Sequence, residues 1–440
     1  MGLISDSVLK HVPMRVSLDS LAQVFAECPH RDFRVQLWDG TTWGSSEHSR
    51  FTIAIKHPNA LRQMFVSPSE LTMGECYICD DLDVEGDIEA AVEMGDYLLA
   101  QNRHSLPGSL RLASILGGSP ARHSVAEPGN IVAGALHSRE RDRRAIGYHY
   151  DLSPEFFALW LDQRRIYSCG YFETEECDLD TAQRRKLDYI CRKLRLRAGE
   201  RLLDVGCGWG GMLIHAASHY GVEALGITLS VRQAEVARQR IRDLGLNDRC
   251  RVEVCDYRDL ELDAQFDKVS SIGMFEHVGE PHLPEYFSRV WQLLRSGGAF
   301  LNTGVAASAT YRRNGPSFID RYVFPDGDPV PISASLRAAE MSNFEVRDVE
   351  SLREHYTLTL RHWVRRLEGK AEEATRLTSQ VTYRIWRLYM AASAHAFSTG
   401  RVNLYQTLLV KPLKGVSGLP LTRTEWYRDW EQEFHGNDKG

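Results

Sequence analysis

Residues 202–211 read LLDVGCGWGG, and this short run constrains the fold more than any other part of the chain. Leu202, Leu203 and Val205 suit a parallel strand covered on both faces, with Asp204 among them near its end. Gly206, Gly208 and Gly210 then allow a tight turn and a close approach of backbone to a ligand at the strand's carboxyl end. Ordinary strand-to-helix turns use such glycines too, so the residues downstream decide the meaning of the run. GVEALGITLS (221–230) supplies a second strand and leads into a helix at VRQAEVARQR. RVEVCDYRDL (251–260) supplies a third, ending at Asp256, and FDKVSSIGMFEHVG (266–279) a fourth, carrying Glu276. Strands alternating with helical stretches imply a doubly wound parallel sheet with its ligand crevice at the strands' carboxyl ends.

The glycine spacing departs from the simple G-x-G-x-x-G of dinucleotide sites, and no pyrophosphate ligand is evident. The order of strands and acids resembles the class I S-adenosylmethionine-dependent methyltransferases. That resemblance implies an α/β, Rossmann-type sheet in which the glycine turn faces the methionine part of the donor. Asp204 joins the glycines as a donor-binding candidate, and the acid ending the third strand would lie near the adenine.

A chain of 440 residues has room for a large core and two domains. Its 43% apolar and 25% charged residues are ordinary for a globular protein. A formal charge of −6 excludes general nucleic-acid affinity. Nine scattered cysteines suit a reducing cytoplasm better than a disulfide framework. Cys76 and Cys79 form a C-x-x-C with no second pair nearby, so no metal site is expected. MGLISDSVLKHVPMRVSL lacks the pattern of a signal peptide, and no run approaches the ~18 apolar residues of a membrane span. A lipid substrate would have to be reached from the water side.

Residues 1–120 read as a small α+β unit. FRVQLWDGTTWG (33–44) alternates apolar and polar around Asp39–Gly40, a hairpin signal; FTIAIKH continues the strand pattern, and DIEAAVEMGDYLLAQ (87–101) has helical spacing. Residues 121–145, rich in Gly, Pro, Ser and charge, read as a linker. Its RERDRR cluster (139–144) is either a solvated charge run or a contact for phosphate headgroups. Residues 146–420 are the expected S-adenosylmethionine-dependent catalytic domain, whose helices are candidates to bind an acyl chain, and 421–440 an expected tail. Phe156, Phe157, Leu159, Trp160 and Leu161 lie too closely for one narrow stripe, so their helix is buried all round or covers something apolar. TYRIWRLYMAASAHAF (382–397) poses the same choice between core packing and an acyl tunnel.

HYDLS (149–153), YSCGYF (167–172), LDVGCGWGG, GITLS, MFEHVG (274–279) and FIDRYVFPDG (318–327) occur in one order. Together they closely resemble the cyclopropane fatty acid synthases, including the mycolic acid cyclopropane synthases, over residues 140–415. The N-terminal unit is similar to the smaller lipid-binding domain of the longer members. The resemblance implies that Tyr167 and Ser168, with Gly206 and Gly208, surround the methionine moiety, that Thr228 and Gln233 contact the ribose side, and that Asp256 and Tyr257 lie by the adenine. Cys169, Glu276 and Tyr356 match the residues that hold a bicarbonate ion beside the reacting methyl.

The implied activity is cyclopropane-fatty-acyl-phospholipid synthesis. A methylene passes from S-adenosylmethionine to the cis double bond of an unsaturated phospholipid acyl chain through a carbocation. The expected setting is the inner face of the membrane, reached peripherally from the cytoplasm, and the resemblance admits a homodimer. Such a site must stabilise a cation, exclude water and remove a proton; aromatic faces serve the first two tasks and a positioned base the third. Each residue also has a structural reading: Glu276 as a helix cap, Cys169 as a small buried hydrophobe, Tyr356 as a packed ring. One departure stands out, because the family's bicarbonate-binding histidine falls on Thr303, which hydrogen-bonds without carrying charge. Bicarbonate is therefore in doubt as the base. Two alternatives stay open: a fatty acyl methyltransferase making a methylene- or methyl-branched chain from the same cation, and a non-catalytic lipid-binding protein.

Overall fold

The computed structural model describes residues 22, 28, 31–44, 49–66, 69–102, 137–150, 152–261, 266–310 and 317–427. The chain divides into two compact units. The first comprises residues 1–130 with two later segments, 314–323 and 379–395, and the second holds the remainder.

Strands β1 (Phe33–Gln36), β2 (Thr42–Gly44), β3 (Phe51–Ile55) and β4 (Leu82–Gly86) build the first unit's sheet in the order β2-β1-β3-β4. The hairpin expected at Asp39–Gly40 is present, with Val35 opposite Trp43 and Gly40 at φ +86°. Alternate residues Phe33, Val35, Phe51, Ile53 and Ile55 are buried, as a strand period of two requires. Helix Glu70–Ile78 starts at a capping box of Ser69 and Thr72, and helix Ile88–Asn102 follows β4. Phe318 packs so closely on the first of these that a Cβ at Gly74 would lie 2.4 Å from its ring.

The helix Gln380–Ser398 corrects the expected domain layout, since most of it belongs to this first unit. Two buried arginines explain why. Arg384 reaches Asp80 and Asp83, both at 2.6 Å. Arg387 donates to the Tyr77 hydroxyl at 3.0 Å and to the carbonyls of Val84 and Gly86 at 2.9 and 3.2 Å. An apolar cavity of about 130 Å³ in the same unit is lined by Met64, Met73, Met94, Leu98, Ile319 and Leu388 among others.

The second unit carries a seven-stranded sheet in the order β10-β11-β9-β8-β5-β6-β7. Its strands are β5 (Arg201–Val205), β6 (Glu223–Thr228), β7 (Cys250–Val254), β8 (Phe266–Ile272), β9 (Leu294–Ala307), β10 (Glu345–Ser351) and β11 (Val402–Val410). β11 runs antiparallel to β9 and β10, and the other neighbours are parallel. Leu202, Val252, Leu301 and Leu408 point to one core, shared with helices Leu179–Leu194, Gly211–Tyr220 and Val231–Asp243. Leu203, Val269, Phe300 and Leu409 point to the opposite core, shared with helices Leu283–Leu293 and Ile332–Met341. Both faces are covered, the arrangement read from LLDVGCGWGG.

Residues 139–145, read as linker, instead open a helix, Arg139–Tyr150. Ion pairs of Arg141 to Asp326 at 2.6 Å, Asp142 to Arg258 at 2.9 Å and Arg139 to Asp259 at 2.6 Å tie the helix to its surroundings, and Arg144 pairs with Glu140 along the helix itself. The rest of the expected linker, 121–136, lies outside the described residues. In the expected tail, the buried Trp426 joins the core, and residues 428–440 lie outside the described residues. Phe156, Phe157, Trp160 and Leu161 are all buried, which selects core packing for their segment.

Candidate functional site

β5 lies between β6 and β8, so the chain leaves it toward both sides and opens a crevice at its carboxyl end. The amides of Gly206 and Cys207 both donate to the Ile227 carbonyl, at 3.0 and 2.9 Å, which folds the glycine turn over β6. Gly206 and Gly208 adopt φ +80° and +52°, left-handed values that glycine takes without strain. A cavity of about 160 Å³ fills the crevice. Around it stand Tyr167, Ser168, Asp204, Gly206, Gly208, Thr228, Gln233, Asp256 and Tyr257. Gly210 does not line it. It caps helix Gly211–Tyr220 at φ +79°, where a Cβ would meet Ala237 at 3.1 Å.

The lining is polar in a graded way. Thr228 donates to Gln233 Oε1 at 2.9 Å, which fixes the amide group. Burial would raise Asp256, but the Arg258 guanidinium bonds both its oxygens, at 2.9 and 2.6 Å, and holds its carboxyl below the usual range. Burial pushes Asp204 up to about 6, partly offset by the Ser270 hydroxyl at 2.7 Å. Carboxylates, a fixed amide, hydroxyls and glycine backbone suit an adenosyl amino acid better than a pyrophosphate. Arg258 and Lys186 also border the cavity and were not singled out from sequence. Both sit in charged helical or turn segments that read as solvent-facing.

Glu276 lies in a 3-10 turn, Phe275–His277, just beyond β8, and its neighbours Met274 and His277 line the cavity. Burial raises its pKa to about 7, against a smaller opposing pull from nearby backbone amides. Its Oε2 is shut from solvent with no hydrogen-bond partner among the described residues. That oxygen faces Gly304: a Cβ there would come within 2.7 Å of it and 2.0 Å of Phe275 Cδ1. Thr303, next along β9, sits opposite Gln406 of β11, whose Nε2 is 3.5 Å from the Thr303 hydroxyl. Gln406 was missed from sequence, although a glutamine within NLYQTLLV is the one side-chain amide between Leu404 and Val410.

Cys169 is buried, its thiol pushed up to about 12 by desolvation and 3.8 Å from the Leu352 carbonyl. The Tyr356 amide donates to that same carbonyl at 3.1 Å, so Leu352 joins the two residues. The thiol stays protonated near neutrality, which suits a hydrogen-bond donor and not a nucleophile. Aromatic rings run in a row from Tyr167 to Trp363 at 5.2 Å, on to Tyr356 at 6.0 Å and to Phe397, 4.6 Å from Tyr356. His149 stacks on Phe324 at 3.7 Å, in keeping with a structural part. No helix among the described residues is long and apolar enough to cross a membrane, and no group of residues there could hold a metal.

Comparison with known proteins agrees with this geometry. The family described as mycolic acid cyclopropane synthetase matches residues 137–407, and a domain of unknown function matches residues 20–102. A "Probable fatty acid methyltransferase" of Pseudomonas putida is 41% identical over 407 residues, 91% of this chain and 97% of that protein. The "Cyclopropane-fatty-acyl-phospholipid synthase" of Escherichia coli K12 is 30% identical over 379 residues, 84% of this chain and 90% of that protein. Among solved structures, the mycolic acid cyclopropane synthase CmaA1 complexed with SAH and CTAB is 32% identical, with a TM-score of 0.58 over 61% of this chain and 97% of that one. The cyclopropane synthase MmaA2 from Mycobacterium tuberculosis reaches 0.59 at 30% identity, over 63% of this chain and 99% of that one. With its switch-point cavity, glycine turn and sheet order, the chain belongs to the mycolic acid cyclopropane synthetase family, and S-adenosylmethionine is its methyl donor.

Proposed function

We propose that this protein methylates the cis double bond of an unsaturated phospholipid acyl chain and that Glu276 accepts the proton lost afterwards. The supporting observation is the Glu276 carboxylate, half-buried beside the donor cavity with one sheltered, unpartnered oxygen. Bound in that cavity, S-adenosylmethionine supplies an electrophilic methyl group. Tyr167, Ser168, Gly206 and Gly208 hold its methionine end, Thr228 and Gln233 its ribose, and Asp256 and Tyr257 its adenine. The row of rings from Tyr167 to Phe397 gives the acyl cation a π surface and denies it water, an attraction of ~0.5–2 kcal/mol per ring face.

The product depends on how fast the proton leaves. Methylation of one alkene carbon puts the cation on its neighbour. Immediate loss of a methyl proton closes a three-membered ring. If a hydride first shifts to the cationic carbon, the same loss gives an exocyclic methylene. Thr303 and Gln406 are uncharged, so they give an anionic base such as bicarbonate little to hold it beside the methyl, and Glu276 is only partly ionised at neutral pH. Slow proton removal favours the shift, so a methylene-branched chain is the expected product. The likeness to the Pseudomonas putida protein supports that reading, and the likeness to the Escherichia coli synthase supports the ring as the second.

The decisive experiment incubates the protein with S-adenosylmethionine and vesicles of a dioleoyl phospholipid, then examines the fatty esters by mass spectrometry and NMR. Exocyclic methylene protons are expected. Ring protons would assign a cyclopropane synthase, and no one-carbon product on any unsaturated lipid would overturn the assignment. Thr303→His with added bicarbonate is expected to raise the ring share severalfold, read from the same spectra. We also assign the first unit a lipid-holding role on the strength of its apolar cavity, with the protein working peripherally at the inner membrane face.

A further inference from the structure

Lys186 is buried on helix Leu179–Leu194 and borders the donor cavity beside Ser168, Asp204 and Gly206. Its Nζ donates to the Ser168 hydroxyl at 2.8 Å. One turn earlier, Gln183 donates to the Ser168 carbonyl at 2.7 Å, so two side chains of this helix fix that serine. No carboxylate among the described residues lies within ion-pairing distance of Lys186. Of the acids that influence it, Asp162 accepts from the amides of Ile166 and Arg164 at 2.7 and 3.0 Å, one on each oxygen, and Asp204 gives one of its two oxygens to Ser270 at 2.7 Å. An ammonium has three protons to donate, and a buried one without a counter-charge is costly.

We propose that Lys186, with the Ser168 hydroxyl it fixes, is the recognition element for the α-carboxylate of the methyl donor. The donor's amino-acid end carries that anion, and the protein presents a buried cation to meet it. Burial pushes Lys186 down to about 8, as expected for a charge waiting for a partner. The inference rests on S-adenosylmethionine as the donor and leaves the identity of the acyl substrate untouched.

Calorimetric binding of S-adenosylmethionine and of decarboxylated S-adenosylmethionine, which keeps the amine and lacks the carboxylate, separates the possibilities. The wild-type protein is expected to bind the complete donor about 10- to 100-fold more tightly, the range for a charged hydrogen-bonded contact. Equal wild-type affinities would overturn the proposal without any variant. Lys186→Met is expected to remove that preference, weakening the complete donor while leaving the decarboxylated one within a few-fold. Parallel loss of both ligands would mean that Lys186 only supports the packing, and retention of the preference would mean that another group reads the carboxylate; each outcome overturns the assignment. Failure of wild-type protein to bind either compound would refute the donor itself, a result distinct from all of these.

Discussion

Glu276→Gln is expected to lower turnover by about 10²–10⁴-fold, the usual contribution of a positioned acid or base, while donor affinity stays within a few-fold. The substitution keeps the shape that meets Gly304 and Phe275 and removes only the capacity to accept a proton. Single-turnover kinetics with a dioleoyl phospholipid, paired with calorimetry of donor binding, checks both halves. Unchanged turnover would remove Glu276 from the mechanism. The pH profile carries the same signature. With its pKa raised from 4.5 to about 7, Glu276 is a proton acceptor only above that value, so wild-type activity should climb through pH 7. The sign for stability is opposite. The folded protein keeps a proton that the unfolded chain releases, so this residue costs increasing stability between about pH 4.5 and 7. The glutamine variant escapes that cost. It should resist unfolding better at pH 8 by about 1–3 kcal/mol and lose the advantage below pH 4.5, as denaturant titrations at the two pH values would reveal.

Gly304→Ala should produce the second large effect without touching any polar group. A methyl there would stand 2.0 Å from Phe275 Cδ1 and 2.7 Å from Glu276 Oε2. Phe275 is buried in the core with Tyr286, Phe287 and Phe300, so it has little room to withdraw, and the 3-10 turn carrying Glu276 must move instead. Displacing a reacting group by about 1 Å costs on the order of 100-fold in rate. Overpacking costs a further 1–3 kcal/mol or so in stability. Donor affinity should fall far less, because Gly206, Gly208 and Asp256 lie on other strands' ends. Equal losses in rate and donor affinity, in the same kinetic and calorimetric assays, would show that the turn and the cavity move as one body.

Local signals brought the donor-site candidates to one cavity. The glycine turn, Thr228, Gln233 and Asp256 each sit at or within a few residues of a strand's end, so strand order alone brings them to one crevice. Gly210 belongs to the expected turn but serves a different task, because spacing does not distinguish a glycine that faces ligand from one that caps a helix. The reacting half was harder to read. Glu276 and Gly304 meet because β9 lies parallel beside β8, and Gln406 reaches Thr303 because β11 enters antiparallel beside β9, a pairing across about a hundred residues that no local pattern announces. Lys186 was hidden for a different reason. It sits in QRRK, a run that looks solvated, and only the packing of its helix turns that one amine inward. The domain boundaries failed where ion pairs decided them, at Arg139–Arg144 and again at Arg384 and Arg387, since charge in a sequence does not state whether it faces water or a partner.

Arg384 and Arg387 have a consequence for biosynthesis. The small unit's strands leave the ribosome early, yet the side chains that tie up the carbonyls of Val84 and Gly86 and the acids Asp80 and Asp83 are made much later. At ordinary elongation rates the delay is on the order of tens of seconds. During that interval the nascent unit lacks the helix that satisfies β4, so the first segment to be synthesised is among the last to be completed.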